Sequence, residues 1–298
     1  MMMSRLGRRS LSLRKFATLV SKKVNGNTCH ATIERSLDNK KAILCIPGAL
    51  GTGATDFSYQ LKAFQDYSVV AFHPDFKHTT SKDLLRLNAH DAAAFMKELG
   101  FDKYSVLAWS DGANTAAILA AEYPKQMERL VLMGGNSYLT DEDLGFYNSI
   151  ADVMTWNPRH RDSCAEAHGG MDKLQDLWTK WLITMQQIIE EGGDLCTSYL
   201  PDIKCKTLVL HGEIDPLVPT DHAHYISERI LHSKLMFIPN GKHNIHMSQA
   251  DIVNNIIRDF LVEADDKETH SREFAAMPPK DPKEPKEKIP VYHSGPRC

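Results

Sequence analysis

Between residues 42 and 262 the chain alternates short apolar runs with longer stretches in which apolar side chains recur at helical spacing. Six runs, at 42–46, 69–72, 104–108, 130–133, 207–210 and 235–238, are nearly continuous in apolar residues. A strand has that composition when both of its faces are covered, as in a parallel sheet flanked by helices. Between the runs, Phe57, Leu61 and Phe64 share one helical face, and so do Ala92, Phe95, Met96 and Leu99. Ile252, Ile256 and Phe260 beside Val253, Ile257 and Leu261 mark a final helix. This alternation predicts an α/β protein built on a doubly wound, mostly parallel sheet. A further strand is expected at 28–34.

The alternation is interrupted once. From residue 133 to residue 207 no strand pattern occurs, whereas Leu174, Leu177, Trp178, Trp181, Met185, Ile188 and Ile189 keep helical spacing. A helical insertion there, at about 136–205, is expected to form a lid over the carboxyl ends of the strands, where ligands bind in such sheets.

The two ends differ from the middle. Residues 1–33 contain no Asp or Glu but carry Arg5, Arg8, Arg9, Arg14, Lys15, Lys22 and Lys23 among serines, with Leu6, Leu11, Leu13, Phe16 and Leu19 placed to oppose the arginines on a helix. That composition predicts a mitochondrial transit peptide over residues 1–23. Residues 263–298 are rich in Asp, Glu, Lys and Pro and bury too little apolar surface to fold, so a disordered tail is expected there. The folded domain is thus expected at 24–262. A net charge of -3 argues against nucleic acid as a partner. The six cysteines are scattered without paired spacing, which fits reduced thiols better than disulfides or a zinc site. No apolar run reaches the roughly 20 residues of a membrane span. A monomer is expected.

The candidate chemistry sits at strand ends. Ala108-Trp109-Ser110-Asp111-Gly112 follows one predicted strand and opens an Ala-rich helix. A sharp strand-to-helix turn of this kind exposes a nucleophilic serine oxygen, with Ala108 in the place usually held by a first glycine. Serine needs a base, and the base an orienting acid. His211-Gly212-Glu213-Ile214-Asp215-Pro216 follows the strand ending at Leu210, and Gly241-Lys242-His243-Asn244-Ile245-His246 follows the last. The order serine, acid, histidine gives Ser110, Asp215 and His243, with Glu213 and His246 as rivals. The two histidines lack a third partner for a metal. The oxyanion needs N–H donors: Asp111 supplies one, and Ala49 is the expected second, from the loop Pro47-Gly48-Ala49-Leu50-Gly51.

With these motifs, residues 46–57, the segment Thr140-Asp141-Glu142-Asp143 and the loops at 211–219 and 241–244 resemble the biphenyl hydrolase-like family of serine hydrolases, also called valacyclovir hydrolases. The resemblance spans roughly residues 24–262. It implies the α/β-hydrolase fold, cleavage of α-amino acid esters in mitochondria, no cofactor, and Asp111 as the carboxylate that receives the substrate's α-amino group. Two departures stand out. The family's loop after the second core strand reads Asp-Pro-Arg-Gly-x-Gly-x-Ser, where this chain has His73-Pro74-Asp75-Phe76-Lys77-His78-Thr79-Thr80, and Ala49 replaces a larger Met. The same triad also serves carbon–carbon bond hydrolases, and the altered loop would suit a non-catalytic homologue that acts as an interaction module.

Overall fold

A computed structural model describes residues 17–35, 40–81 and 83–264. Its strands are β1 (Thr18–Val24), β2 (Asn27–Glu34), β3 (Ala42–Ile46), β4 (Ser68–His73), β5 (Tyr104–Trp109), β6 (Met127–Met133), β7 (Lys206–Gly212) and β8 (Ser233–Ile238). The α-helices are α1 (Gly53–Asp56), α2 (Ser58–Ala63), α3 (Leu84–Glu98), α4 (Asp111–Glu122), α5 (Asp141–Ser149), α6 (Pro158–His168), α7 (Met171–Glu190), α8 (Thr220–Arg229), α9 (Ile245–Ser248) and α10 (Ala250–Val262). The strands form one sheet in the order β1-β2-β4-β3-β5-β6-β7-β8, parallel from β4 to β8 and antiparallel at β1 and β2. All six predicted apolar runs are strands of this sheet, and the run at 28–34 is β2.

The reason for their composition is visible in the packing. Along β3, Leu44 and Ile46 join a core with Phe95 of α3 and Leu119 of α4 on one face. Ile43 and Cys45 join a second core with Phe57 and with Ile257 and Phe260 of α10 on the other. Consecutive residues of the strand are therefore buried on opposite sides, and neither face tolerates a polar side chain.

The start of the fold corrects the expected boundary at residue 24. Residues 18–24 are strand β1, paired antiparallel with β2 from Thr18 opposite Ile33 to Val24 opposite Asn27. Asn25 and Gly26, at φ 49° and 83°, make the tight turn between them, the left-handed pair that Asn-Gly favours in two-residue hairpins. Leu19, assigned above to the apolar face of a targeting helix, is an exposed residue of this strand. The rest of the expected transit peptide, residues 1–16, and tail residues 265–298 lie outside the described residues.

Between β6 and β7 the chain leaves the sheet for α5, α6 and α7. The Thr140 side chain and Asp143 cap α5 reciprocally, and a bridge between Tyr138 and Asp194 closes the neck of the insertion. Trp178 and Trp181 of α7 stack face to face at 4.6 Å. Among the described residues no helix is long and apolar enough to cross a membrane.

Candidate active site

β5 runs fully buried to Trp109, and α4 begins at Asp111. Ser110, between them, is held at φ 55° and ψ -127°. A non-glycine residue in that region costs about 1–3 kcal/mol and persists only where its surroundings impose it. Here the Ser110 N–H is tied to the Met133 carbonyl at 2.9 Å. The turn also passes so close to β3 that a Cβ on Gly112 would lie 2.3 Å from the carbonyl oxygens of Ile46 and Pro47. Glycine is required there, whereas Ala108 is accommodated fully buried.

The candidate acid and base arrive on the loops after β7 and β8. His243 Nε2 lies 3.0 Å from Ser110 Oγ, and His243 Nδ1 lies 2.8 Å from Asp215 Oδ2. The other Asp215 oxygen accepts the N–H groups of Leu217 and Val218 at 2.8 and 3.1 Å. Burial pushes the Asp215 carboxyl upward, but the hydrogen bond and charge of His243 and these two N–H groups outweigh it and hold it below the usual carboxylate range. An ionised, fully buried Asp215 side chain therefore fixes the imidazole with its Nδ1 as donor and its Nε2 turned to the serine. Trp109 donates its indole N–H to the His243 carbonyl at 2.9 Å and steadies the loop from below.

The rivals have other surroundings. Glu213 is exposed and accepts the Asn240 N–H at 3.2 Å. His246 is fully buried between the rings of Phe57 and Trp109, and burial first, then the nearby His243, drives its proton affinity down to about 3. It is a neutral ring in the core. Among the described residues no group of three or more His, Cys, Asp or Glu is placed to hold a metal.

The loop after β3 is fastened along its length. Gly48 donates its N–H to Asp56 Oδ2 at 3.0 Å, and Gly51 donates to the Gly48 carbonyl at 3.0 Å. The N–H groups on either side of Ala49 and Leu50 are thus taken up inside the loop. Asp56 is fully buried, which lifts its carboxyl to about 7 against the pull of Thr55 and Gly48. Ala49, Leu50, Phe76, Asp111, Thr115 and Trp181 line one cleft. Asp111 reaches into it half-buried and accepts the Trp181 indole N–H on Oδ2 at 2.7 Å. Burial raises the Asp111 carboxyl to about 6, opposed by hydrogen bonds from Trp181 and Asn114 and by the charge of His243.

The divergent loop after β4 forms a short 3₁₀ turn, Phe76–Thr80, capped by Asp75, which accepts the Lys77 N–H at 3.0 Å. Its Thr79 carbonyl accepts the Thr184 hydroxyl of α7 at 2.6 Å. Sequence reasoning assigned Trp181 to the core and passed over Asp56, Thr184 and His168. The partners of Trp181, Thr184 and His168 are 70, 105 and 118 positions away, and no local motif marks these three, whereas Asp56 bonds Gly48 only 8 positions away.

A family model for the α/β-hydrolase fold matches residues 41–173. The serine hydrolase BPHL of Mus musculus is 38% identical over 261 residues, which covers 83% of this chain and 88% of the relative. The chain belongs to the BPHL family of α/β-hydrolases. The Homo sapiens BPHL is likewise 38% identical, over 82% of this chain and 87% of its own length. The solved 2-hydroxy-6-oxo-6-phenylhexa-2,4-dienoate hydrolase of Rhodococcus sp. strain RHA1 superposes with a TM-score of 0.66 at 15% identity, over 82% of this chain and 99% of that one, a likeness of fold.

Proposed function

We propose that this BPHL-like hydrolase cleaves small α-amino acid esters through an acyl-enzyme on Ser110. His243 takes the Ser110 proton as Oγ attacks the ester carbonyl, and the carbonyl electrons move onto an oxyanion bound by the N–H groups of Ala49 and Asp111. The oxyanion collapses, the C–O bond to the leaving alcohol breaks, and His243 returns the proton to that alcohol. Water, deprotonated by the same imidazole, then releases the amino acid and restores Ser110. Asp215 keeps the ring in the tautomer that both steps use. The basic, acid-free leader supports a mitochondrial location.

The observation that carries the substrate class is the Asp111 carboxylate, next to the nucleophile and open to the cleft. An ionised group there repels a developing oxyanion and handicaps a hydrolase of neutral esters. An α-ammonium beside the scissile carbonyl would pair with it, in a charge-assisted bond worth about 1.5–3 kcal/mol. The side chain does not turn back onto the backbone N–H groups that start α4; Trp181 of the insertion holds it at the cleft. Asp111→Asn should therefore lower kcat/KM for valyl or phenylalanyl esters roughly ten-fold or more, and leave their N-acetyl counterparts unchanged or faster. An equal loss on both types would remove the amino acid ester assignment. Preference for a carbon–carbon ring-cleavage substrate in the same panel would favour the alternative chemistry of this triad, and failure of Ser110 to label with a fluorophosphonate would favour a non-catalytic role.

A further inference from the structure

Four non-glycine residues among those described have positive φ: Asn25, Leu50, Ser110 and Asn240. Asparagine tolerates the left-handed region, and Ser110 is the nucleophile itself. Leu50, at φ 53°, is the bulky exception. It directly follows Ala49 in the loop assigned to the oxyanion, and its carbonyl accepts a hydrogen bond from His168 Nε2 at 2.8 Å. A carbonyl oxygen only accepts, so Nε2 carries the proton. Burial lowers the proton affinity of this imidazole despite the bond to Leu50, which favours the neutral ring.

We infer that His168 is a positioning residue for the proposed hydrolysis: through the Leu50 carbonyl it holds the Ala49–Leu50 backbone in the conformation that presents the Ala49 N–H to the oxyanion. The ring is well placed for this. It is the last residue of α6, which Gly169 ends in the left-handed conformation at φ 80°. Its edge packs on Phe76 of the loop after β4, with ring centres 4.4 Å apart at 86°. One side chain thus joins the helical insertion, the oxyanion loop and the divergent loop. The other fastenings of the turn, Gly48 to Asp56 and Gly51 to Gly48, lie on either side of the Ala49–Leu50 peptide unit. His168 holds the carbonyl that follows it.

This inference rests on the Ser110 hydrolase reading, and the test separates the two. His168→Met and His168→Gln have similar shape, but only Gln can donate to Leu50. With active sites counted by fluorophosphonate titration, His168→Met should lose roughly ten- to a hundred-fold in kcat on amino and N-acetyl esters alike, with KM within about two-fold. Affinity for a boronic acid, whose tetrahedral Ser110 adduct places an oxygen in the oxyanion site, should fall by the same factor. His168→Gln should recover most of both. Equal kcat in the two variants, or a loss confined to KM or thermal stability, overturns the inference. Should neither variant fold, the crystal structure of the wild-type boronate adduct decides. Its oxygen must bond the Ala49 N–H while Leu50 O stays on His168, and any other arrangement overturns the inference. Absence of an adduct on wild-type Ser110 would instead sink the hydrolase reading itself.

Discussion

Two pairs of loops meet at the carboxyl edge of the sheet, and they are held by different means. The pair after β7 and β8, which carries Asp215 and His243, is fastened by its own backbone. Glu213 donates to Ile238 at 3.1 Å and Ile214 to Gly241 at 2.9 Å, and a Cβ on Gly212 would lie 2.4 Å from the Gly241 carbonyl oxygen. The pair after β3 and β4, which lines the cleft, is fastened to the insertion by side chains: His168 on the Leu50 carbonyl and Thr184 on that of Thr79. Bonds of the first kind form as soon as β7 and β8 find their register. Those of the second require a separate helical layer to dock. The candidate acid and base are therefore built into the sheet, whereas the two loops that line the cleft also lean on the insertion.

The most damaging test falls on the sheet-built half. Ser110→Ala and His243→Ala should both drop ester turnover to one common floor, roughly 10⁴-fold or more below wild type, because such groups act as a unit. Steady-state kinetics on a chromogenic amino acid ester checks this. His246→Ala opens a cavity between Phe57 and Trp109 and should cost stability, yet stay well above that floor. If it reached the floor while His243→Ala stayed active, the base would be misassigned.

The same division explains what the sequence revealed. Ser110, Asp215 and His243 were legible because each sits one short turn beyond an apolar run, and strand ends are readable from apolar pattern alone. β1 was missed: Lys22 and Lys23 on an exposed edge strand dilute the apolar signal, which is how edges are protected from pairing, and they merged with the basic stretch that precedes them in the sequence. The Asn25-Gly26 turn was the available clue. Trp181 and His168 offered none. Their apolar bodies follow ordinary helical spacing, and the polar atom that matters in each bonds a residue brought near only by the docking of α6 and α7.

A smaller effect is expected where the two halves touch. Trp181→Phe keeps an aromatic ring to stack on Trp178 but removes the N–H held by Asp111. Near pH 6.5 the preference for amino acid esters over their N-acetyl forms should fall about five-fold, the equivalent of roughly 1 kcal/mol, with turnover of the N-acetyl forms nearly constant. A uniform loss on both would mean that Trp181 only packs the insertion.

The subtlest expectation concerns pH, and it isolates Asp111 from the rest of the machinery. In the ratio of kcat/KM for an amino acid ester to that for its N-acetyl analogue, every step common to the two substrates cancels. What remains is Asp111 and the substrate amine. Burial raises the Asp111 carboxyl from 3.8 to about 6, so the ratio should fall by half near pH 6 and approach a tenth about one unit lower. It should fall again at high pH as the ammonium deprotonates, ordinarily near 7.7–8.0 for an α-amino group. Trp181→Phe should move the acid limb upward, since it removes a donor to the charged form. The same shift fixes a stability signature. A carboxyl raised on folding contributes stability below 3.8 that is lost as pH rises through about 6. At neutral pH the ionised Asp111 thus weakens the native state, and Asp111→Asn should be the more stable protein at pH 7, on the order of 1 kcal/mol after solvent screening. That advantage should vanish at pH 4. A ratio that stays flat from pH 5 to pH 7 would show that the Asp111 charge does not meet the substrate, whatever its effect on melting.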